Sequence, residues 1–143
     1  MTTSPQHENE TTEQYVLRLM EEAVALKGAD YVYEHQPTND PDALAPTTCY
    51  YVWDNQPSCI VGHVLHAAGI PLEELARHEG GSAHIVVAAV APHDWDGLVG
   101  NALNSAQAMQ DAGGTWGEAL ETFKSELPEP THYLAGQDPN WKP

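Results

Sequence analysis

Basic residues are scarce in this chain. Five lysines and arginines stand against 21 aspartates and glutamates among 143 residues, giving a formal net charge of −16. Proteins that bind nucleic acid neutralise phosphates with clustered Lys and Arg, and anionic membrane surfaces attract the same residues. The composition therefore predicts no nucleic-acid partner and no membrane partner. It is compatible with a protein partner, either a host protein or another copy of the chain, with a basic surface that complements the charge.

Long apolar runs and targeting signals are also missing. No run approaches the roughly 18 apolar residues of a transmembrane helix. The N-terminal sequence MTTSPQHENE lacks the basic and apolar regions of a signal peptide, so we expect a cytoplasmic protein. Its two cysteines, Cys49 and Cys59, are too few for a disulfide scaffold and are expected to be thiols.

Familiar catalytic motifs are absent as well. The sequence contains no P-loop, dinucleotide fingerprint, HExxH or GxSxG motif. Its carboxylates show no pair at a spacing that singles out acid–base chemistry. The sequence therefore favours a non-enzymatic protein.

The residues that are present predict a mainly α fold (α+β), with five or so short helices packed against one two-stranded antiparallel hairpin. Thr11 and Gln14 have the spacing of a capping box, and apolar residues follow at helical period until Gly28. Further helices are predicted after Ser58, around Leu72, after Ser82, from Leu98 and after Thr115. We predict a disordered lead-in over residues 1–10, one globular domain over 11–127 and a Pro- and Gly-rich tail over 128–143.

Two aromatic segments predict the hairpin. Residues 30–34 and 48–53 are rich in aromatic and β-branched side chains, as strands are, and a Pro-rich loop separates them. One face of this hairpin is expected to join the core. The other could bind a partner, because aromatic residues dominate binding hot spots. The candidate partner-binding residues are Tyr31, Tyr33, Tyr51 and Trp53.

The segment from Gly69 to Val90 resembles the helix-turn-helix of small bacterial regulators. The resemblance rests on Glu74-Leu75-Ala76, on Gly80 at the turn, on Ser82 and on Val86. However, Glu79 and Gly81 replace the apolar residues usual on either side of the turn glycine. The second helix, SAHIVVAAV, has no Lys, Arg, Asn or Gln to read bases. We expect three helices packed in roughly this way, with the second one of the motif buried rather than bound to DNA.

A candidate metal site consists of Cys59, His63 and His66. On a helix from Cys59 to Ala68, steps of about 100° place these three residues on one face, away from the apolar side chains. Thiolate and imidazole suit Zn²⁺, and Cys49 or a carboxylate could complete the site. The alternatives are two surface histidines with a small buried cysteine, or a nucleophilic Cys59 with His84 as its base. No cofactor is the main expectation, and zinc is the alternative.

Two strings carry an overall resemblance: CYYVWDNQPSCIVGHVLHAAGIPLEELARHEG and LNSAQAMQDAGGTWGEAL. Over residues 11–127 the chain looks like small proteins of unassigned function encoded by actinobacteria and their phages. The resemblance implies a compact cytoplasmic accessory protein and transfers no active-site residue. The main hypothesis is a small acidic, phage-encoded interaction protein that acts on a host protein. The alternatives are a zinc domain or hydrolase built on the Cys-His residues, and a protein that sequesters a small ligand.

Overall fold

A computed structural model describes residues 5–34, 50–92 and 94–127. These residues form six helices and one short antiparallel hairpin, which confirms the predicted mainly α fold. The helices are α1 (Thr12–Lys27), α2 (Ile60–Ala67), α3 (Leu72–Ala76), α4 (Ala83–Val90), α5 (Gly97–Asp111) and α6 (Trp116–Glu126), and the strands are β1 (Val52–Trp53) and β2 (Gln56–Pro57). None of the helices in the described residues is long and apolar enough to cross a membrane.

Local sequence signals set most helix ends. The side chains of Thr11 and Thr115 each accept a hydrogen bond from the backbone N–H three residues later. In the reverse direction, the side chains of Gln14 and Glu118 accept from the backbone N–H groups of Thr11 and Thr115. Both are capping boxes, and the first is the one predicted from Thr11 and Gln14. Asp96 caps α5 in the simpler way, accepting from the backbone N–H of Val99 at 3.1 Å.

The helices pack in a closed order around one apolar core. α1 contacts α2 and α6, α5 lies between α4 and α6, and α3 joins α2 to α4, while α2 also touches α5. The largest fully buried side chains come from several of these elements, so the core is shared rather than local: Leu19, Met20, Tyr51, Ile60, Leu65, Leu75, Leu103, Gln110, Trp116 and Phe123.

The hairpin exists, but its predicted strand pairing is wrong. Val52 and Trp53 pair with Pro57 and Gln56 across a two-residue turn, in which Asp54 and Asn55 both have positive φ. Asn and Asp tolerate this conformation, which matches the twist of a tight hairpin. The predicted partner segment, residues 30–34, instead forms an isolated bridge between Val32 and Thr115. Part of the predicted second strand, residues 48 and 49, lies outside the described residues.

The start of α6 explains where residues 29–32 lie. The first N–H groups of a helix have no partner inside it. The backbone N–H of Trp116 donates to the Tyr31 carbonyl, and that of Gly117 donates to the Ala29 carbonyl, both at 2.8 Å. The segment after α1 is therefore held as an acceptor for α6 rather than as a strand of the hairpin.

The helix-turn-helix-like segment, Gly69 to Val90, folds as two consecutive helices, α3 and α4, and with the preceding α2 they give the expected three helices. Gly80 has the positive φ of +87° expected at the turn, and Val86 packs back into the core with 1% of its surface exposed. The expectation that the following helix is buried is only half correct. α4 buries one side, but Ile85 on the other side is 57% exposed.

The predicted domain boundaries, after residue 10 and after residue 127, remain predictions. Residues 5–10, placed in the lead-in by the sequence, contact α1 through Arg18, which donates to the Glu10 carboxylate at 2.7 Å and to the Pro5 carbonyl at 2.8 Å. Hydrogen bonding to Arg18 lowers the pKa of Glu10 to about 2. Residues 1–4 and the predicted tail, 128–143, lie outside the described residues.

Candidate functional site

Cys59 does not lie on the face where the sequence placed it. The predicted N-cap was Ser58, but the observed N-cap of α2 is Cys59 itself, with φ −78° and ψ 171°. Because this backbone is extended rather than helical, angles projected along a helix from Cys59 do not apply to it. Its side chain is fully buried within the apolar core.

Each of the two histidines of the predicted metal site contacts a neighbouring group of the protein. The His63 ring packs edge-on against the Trp116 ring, with centroids 5.3 Å apart. The Nδ1 atom of His66 lies 3.1 Å from the Ile70 carbonyl, within hydrogen-bond distance. Across residues 5–34, 50–92 and 94–127, no group of three or more His, Cys, Asp or Glu side chains could hold a metal ion. Cys49, the proposed fourth ligand, lies outside these ranges, so zinc binding stays an untested prediction.

The buried Cys59 also bears on the hydrolase alternative. None of its surface is exposed, so a substrate cannot reach the thiol in the folded chain. The proposed base, His84, is exposed on α4. Burial of the thiol therefore argues against a nucleophilic role for Cys59.

His63 is expected to make the fold sensitive to acid. Burial, with smaller repulsion from Lys27 and His66, lowers the pKa of His63 from 6.5 to about 4. Its Nε2 atom is buried without a hydrogen-bond partner. Above pH 6.5 the ring is neutral whether the chain is folded or unfolded. As the pH falls from about 6.5 to 4, only the unfolded chain gains this proton, so stability is lost by up to about 3 kcal/mol.

An NMR titration of the His63 ring carbons measures this directly. We expect a midpoint near pH 4 in the folded chain. Denaturant unfolding of His63→Gln should lose less stability over the same pH range than the parent chain, because glutamine does not titrate. A ring midpoint near 6.5 would show that the ring is solvated and would refute this prediction.

The candidate partner-binding aromatics divide into core and surface. Tyr33 and Tyr51 are 4% and 1% exposed, so the prediction is wrong for these two. The Tyr33 hydroxyl lies 2.9 Å from Ser58 Oγ, and the Tyr51 hydroxyl donates to the Gly81 carbonyl at 2.6 Å. The alternation of inward and outward side chains along a strand does not apply to Tyr33 and Tyr51, because neither residue lies in the paired strands. Tyr31 and Trp53 are partly exposed, and their role in binding stays a prediction.

The sequence reasoning missed a buried polar network. Gln110 is fully buried, and its Oε1 accepts hydrogen bonds from the Ile60 backbone at 2.9 Å and from the Trp116 indole at 3.1 Å. The side-chain amide of Gln110 on α5 therefore accepts hydrogen bonds both from the first turn of α2 and from a side chain of α6. Gln107, one turn earlier, donates to the Tyr51 hydroxyl at 3.1 Å. A signal was present, because both glutamines fall in phase with the apolar stripe of α5.

Glu79 has a structural role that its sequence position did not suggest. Its two carboxylate oxygens accept from the backbone N–H groups of Tyr51 and Val52, at 2.7 and 3.0 Å. Burial raises the pKa of Glu79, and the two backbone hydrogen bonds partly oppose this. The Glu79 carboxylate, between α3 and α4, thus accepts hydrogen bonds from the chain that enters the hairpin. This role explains why an acidic residue stands where an apolar one is usual in a helix-turn-helix.

The charges on the described surface are unevenly matched. All four basic residues in these ranges are engaged. Arg18 contacts Glu10 and Glu22, Arg77 contacts Glu74, and Lys124 contacts Glu121. The Lys27 ammonium lies over the Tyr31 ring, 5.4 Å from its centre. Most carboxylates therefore have no cation near them, and the surface keeps a negative potential.

Comparisons with family models, curated proteins and solved structures give no match to this chain.

Proposed function

We propose that the chain is a small acidic interaction protein that binds a protein with a basic surface and performs no chemical step. The supporting observation is the charge distribution. The four described bases are already engaged within the chain, so they do little to attract an anionic partner. The unmatched carboxylates are free to attract a cationic one. Such a surface steers a partner of opposite charge and raises its rate of association.

Exposed carboxylates are spread over several elements rather than gathered in one cavity. They include Glu21 on α1, Asp30 and Glu34 after it, Glu73 on α3, and Glu118 and Glu126 on α6. A field built from many exposed charges is screened over about 8 Å at physiological salt. Binding that uses it must therefore weaken steeply as salt is added.

The partner that fits the resemblance to phage and actinobacterial accessory proteins is a host protein. Its identifying property in this proposal is chemical: a surface rich in Lys and Arg. The proposal needs no cofactor, nucleic acid or membrane.

The test is a titration of the chain with a lysine-rich peptide, followed by tryptophan fluorescence or calorimetry. We expect binding that weakens at least tenfold between about 0.05 and 0.3 M NaCl, because the Debye length shrinks over this range. A glutamate-rich peptide of the same length is the matched control and should not bind. Salt-independent binding, or equal binding of both peptides, would contradict the proposal.

A further inference from the structure

α4 has no charged outer face. From Ser82 to Pro92 the chain contains no Asp, Glu, Lys or Arg. A helix that is apolar all round is normally buried, and a surface helix normally carries charge on its outer side. Yet half of the eight α4 residues are exposed: His84, Ile85, Ala88 and Ala89.

These exposed residues share one side of the helix. Ile85, Ala88 and Ala89 are spaced i, i+3 and i+4, so their side chains lie together. The opposite side buries Ala83, Val86 and Val87 in the core. We call the exposed set Ile85, Ala88 and Ala89 the α4 outer face. Small alanines on each side of a large isoleucine would let another helix approach closely.

Carboxylates lie close to α4, either a few residues after it in the chain or on the helix that contacts it. Asp94 and Asp96 are exposed just after α4, and Glu73 is exposed on the neighbouring α3. Asp96 caps α5, and Asp94 accepts a hydrogen bond from Thr12. Neither carboxylate forms an ion pair with a base in residues 5–34, 50–92 and 94–127. Arg77, the C-cap of α3, is already paired with Glu74.

We infer that the α4 outer face is a docking surface for a basic amphipathic helix, whose apolar side covers Ile85 and whose Lys and Arg residues meet Asp94, Asp96 and Glu73. The inference rests on the proposed function and names the surface that performs it. Helix-on-helix binding of this kind uses apolar anchors at i, i+3 and i+4 and charges at the rim.

Charge complementarity selects this occupant. A second copy of the chain on the same face would bring two molecules of net charge −16 together, and like charges across an interface oppose association. A basic helix replaces this repulsion with attraction. The apolar centre supplies the affinity that screened surface charges alone cannot give.

The experiment uses a peptide of Leu and Lys, about 14 residues long, with its leucines on one helical face, which gives roughly four turns. A scrambled peptide of the same composition, without an apolar face, is its control. The full chain is titrated as the parent, as Ile85→Asp and as Leu26→Asp. Leu26 is the matched control because it is 67% exposed on a different helix, α1.

The two substitutions add the same charge, so charge alone would make both variants bind the basic peptide more tightly. We expect Ile85→Asp to bind at least tenfold more weakly, and Leu26→Asp to stay within about twofold of the parent. Saturating peptide should shift the backbone amide NMR signals of residues 84–89. Circular dichroism confirms that both variants are folded.

Other results overturn the inference. If Ile85→Asp binds as tightly as the parent, or residues 84–89 do not shift, the basic ligand binds elsewhere or another segment, such as residues 128–143, covers the face. If Ile85→Asp only converts a dimer to a monomer in sedimentation, the occupant is a second copy. In these cases a salt-sensitive lysine-rich peptide still supports the proposed function. If no basic peptide binds at low salt, both fail.

Discussion

Replacing Gln110 by leucine is expected to lower the free energy of unfolding by about 3–4 kcal/mol. Leucine has a similar volume, so little cavity is created. The change removes the acceptor for two buried donors, the Ile60 backbone N–H and the Trp116 indole N–H. Each buried donor left without a partner costs about 1–3 kcal/mol. The measurement is the shift of the denaturation midpoint in guanidinium chloride at an unchanged slope.

Gln107 provides a matched control on the same helix. Its Nε2 donates to the Tyr51 hydroxyl, but its Oε1 is buried without a partner. Gln107→Leu therefore removes one hydrogen bond and one unsatisfied atom together, while Tyr51 keeps its bond to Gly81. We expect a change below about 1 kcal/mol. Equal losses in the two variants would mean that the Gln110 contacts are not what joins α2, α5 and α6.

Replacing Gly62 by alanine is expected to destabilise the chain by about 1–2 kcal/mol. A Cβ at this position would lie within 3.0 Å of the Tyr51 carbonyl oxygen and 3.1 Å from the carbonyl carbon. These are backbone atoms, so the clash is relieved only by moving α2 away from the chain that enters the hairpin. Overpacking of this kind costs about 1–3 kcal/mol. It outweighs the gain of roughly 1 kcal/mol from the better helix propensity of alanine.

Gly97→Ala is the control for this substitution. Gly97 is the first residue of α5, and an added Cβ there meets nothing within 4 Å. Its stability should stay equal to the parent or rise slightly. Thermal and denaturant unfolding of both variants decide the comparison, and a stable Gly62→Ala chain would show that α2 and the hairpin do not pack as described.

Substitutions in the core and on the α4 outer face are expected to have different effects. Gly62, Gln110 and Glu79 hold α2, α5 and the hairpin together, and their replacement should change stability rather than specificity. The α4 outer face contributes little to the core, so Ile85→Asp should change binding with little change in stability. This difference allows a loss of binding to be distinguished from a loss of fold.

The sequence alone determined the features that depend on near neighbours. Both capping boxes span four residues, and the helices that they start follow from the period of their apolar side chains. Gly28 and Gly69 end helices because they adopt positive φ, of +99° and +107°. Net charge is a property of composition, so the excess of carboxylates is also fixed before folding.

Only the tertiary structure decided the contacts between distant segments. Gln110 meets Ile60 across 50 positions in the chain, and Glu79 meets Tyr51 across 28. No local pattern encodes such pairs, because they depend on how helices pack. The same packing buries Cys59, joins residues 29–31 to the start of α6, and leaves Ile85 exposed on an uncharged helix. Spacing along the chain could suggest a shared face for Cys59, His63 and His66, but burial of the extended N-cap removed Cys59 from it.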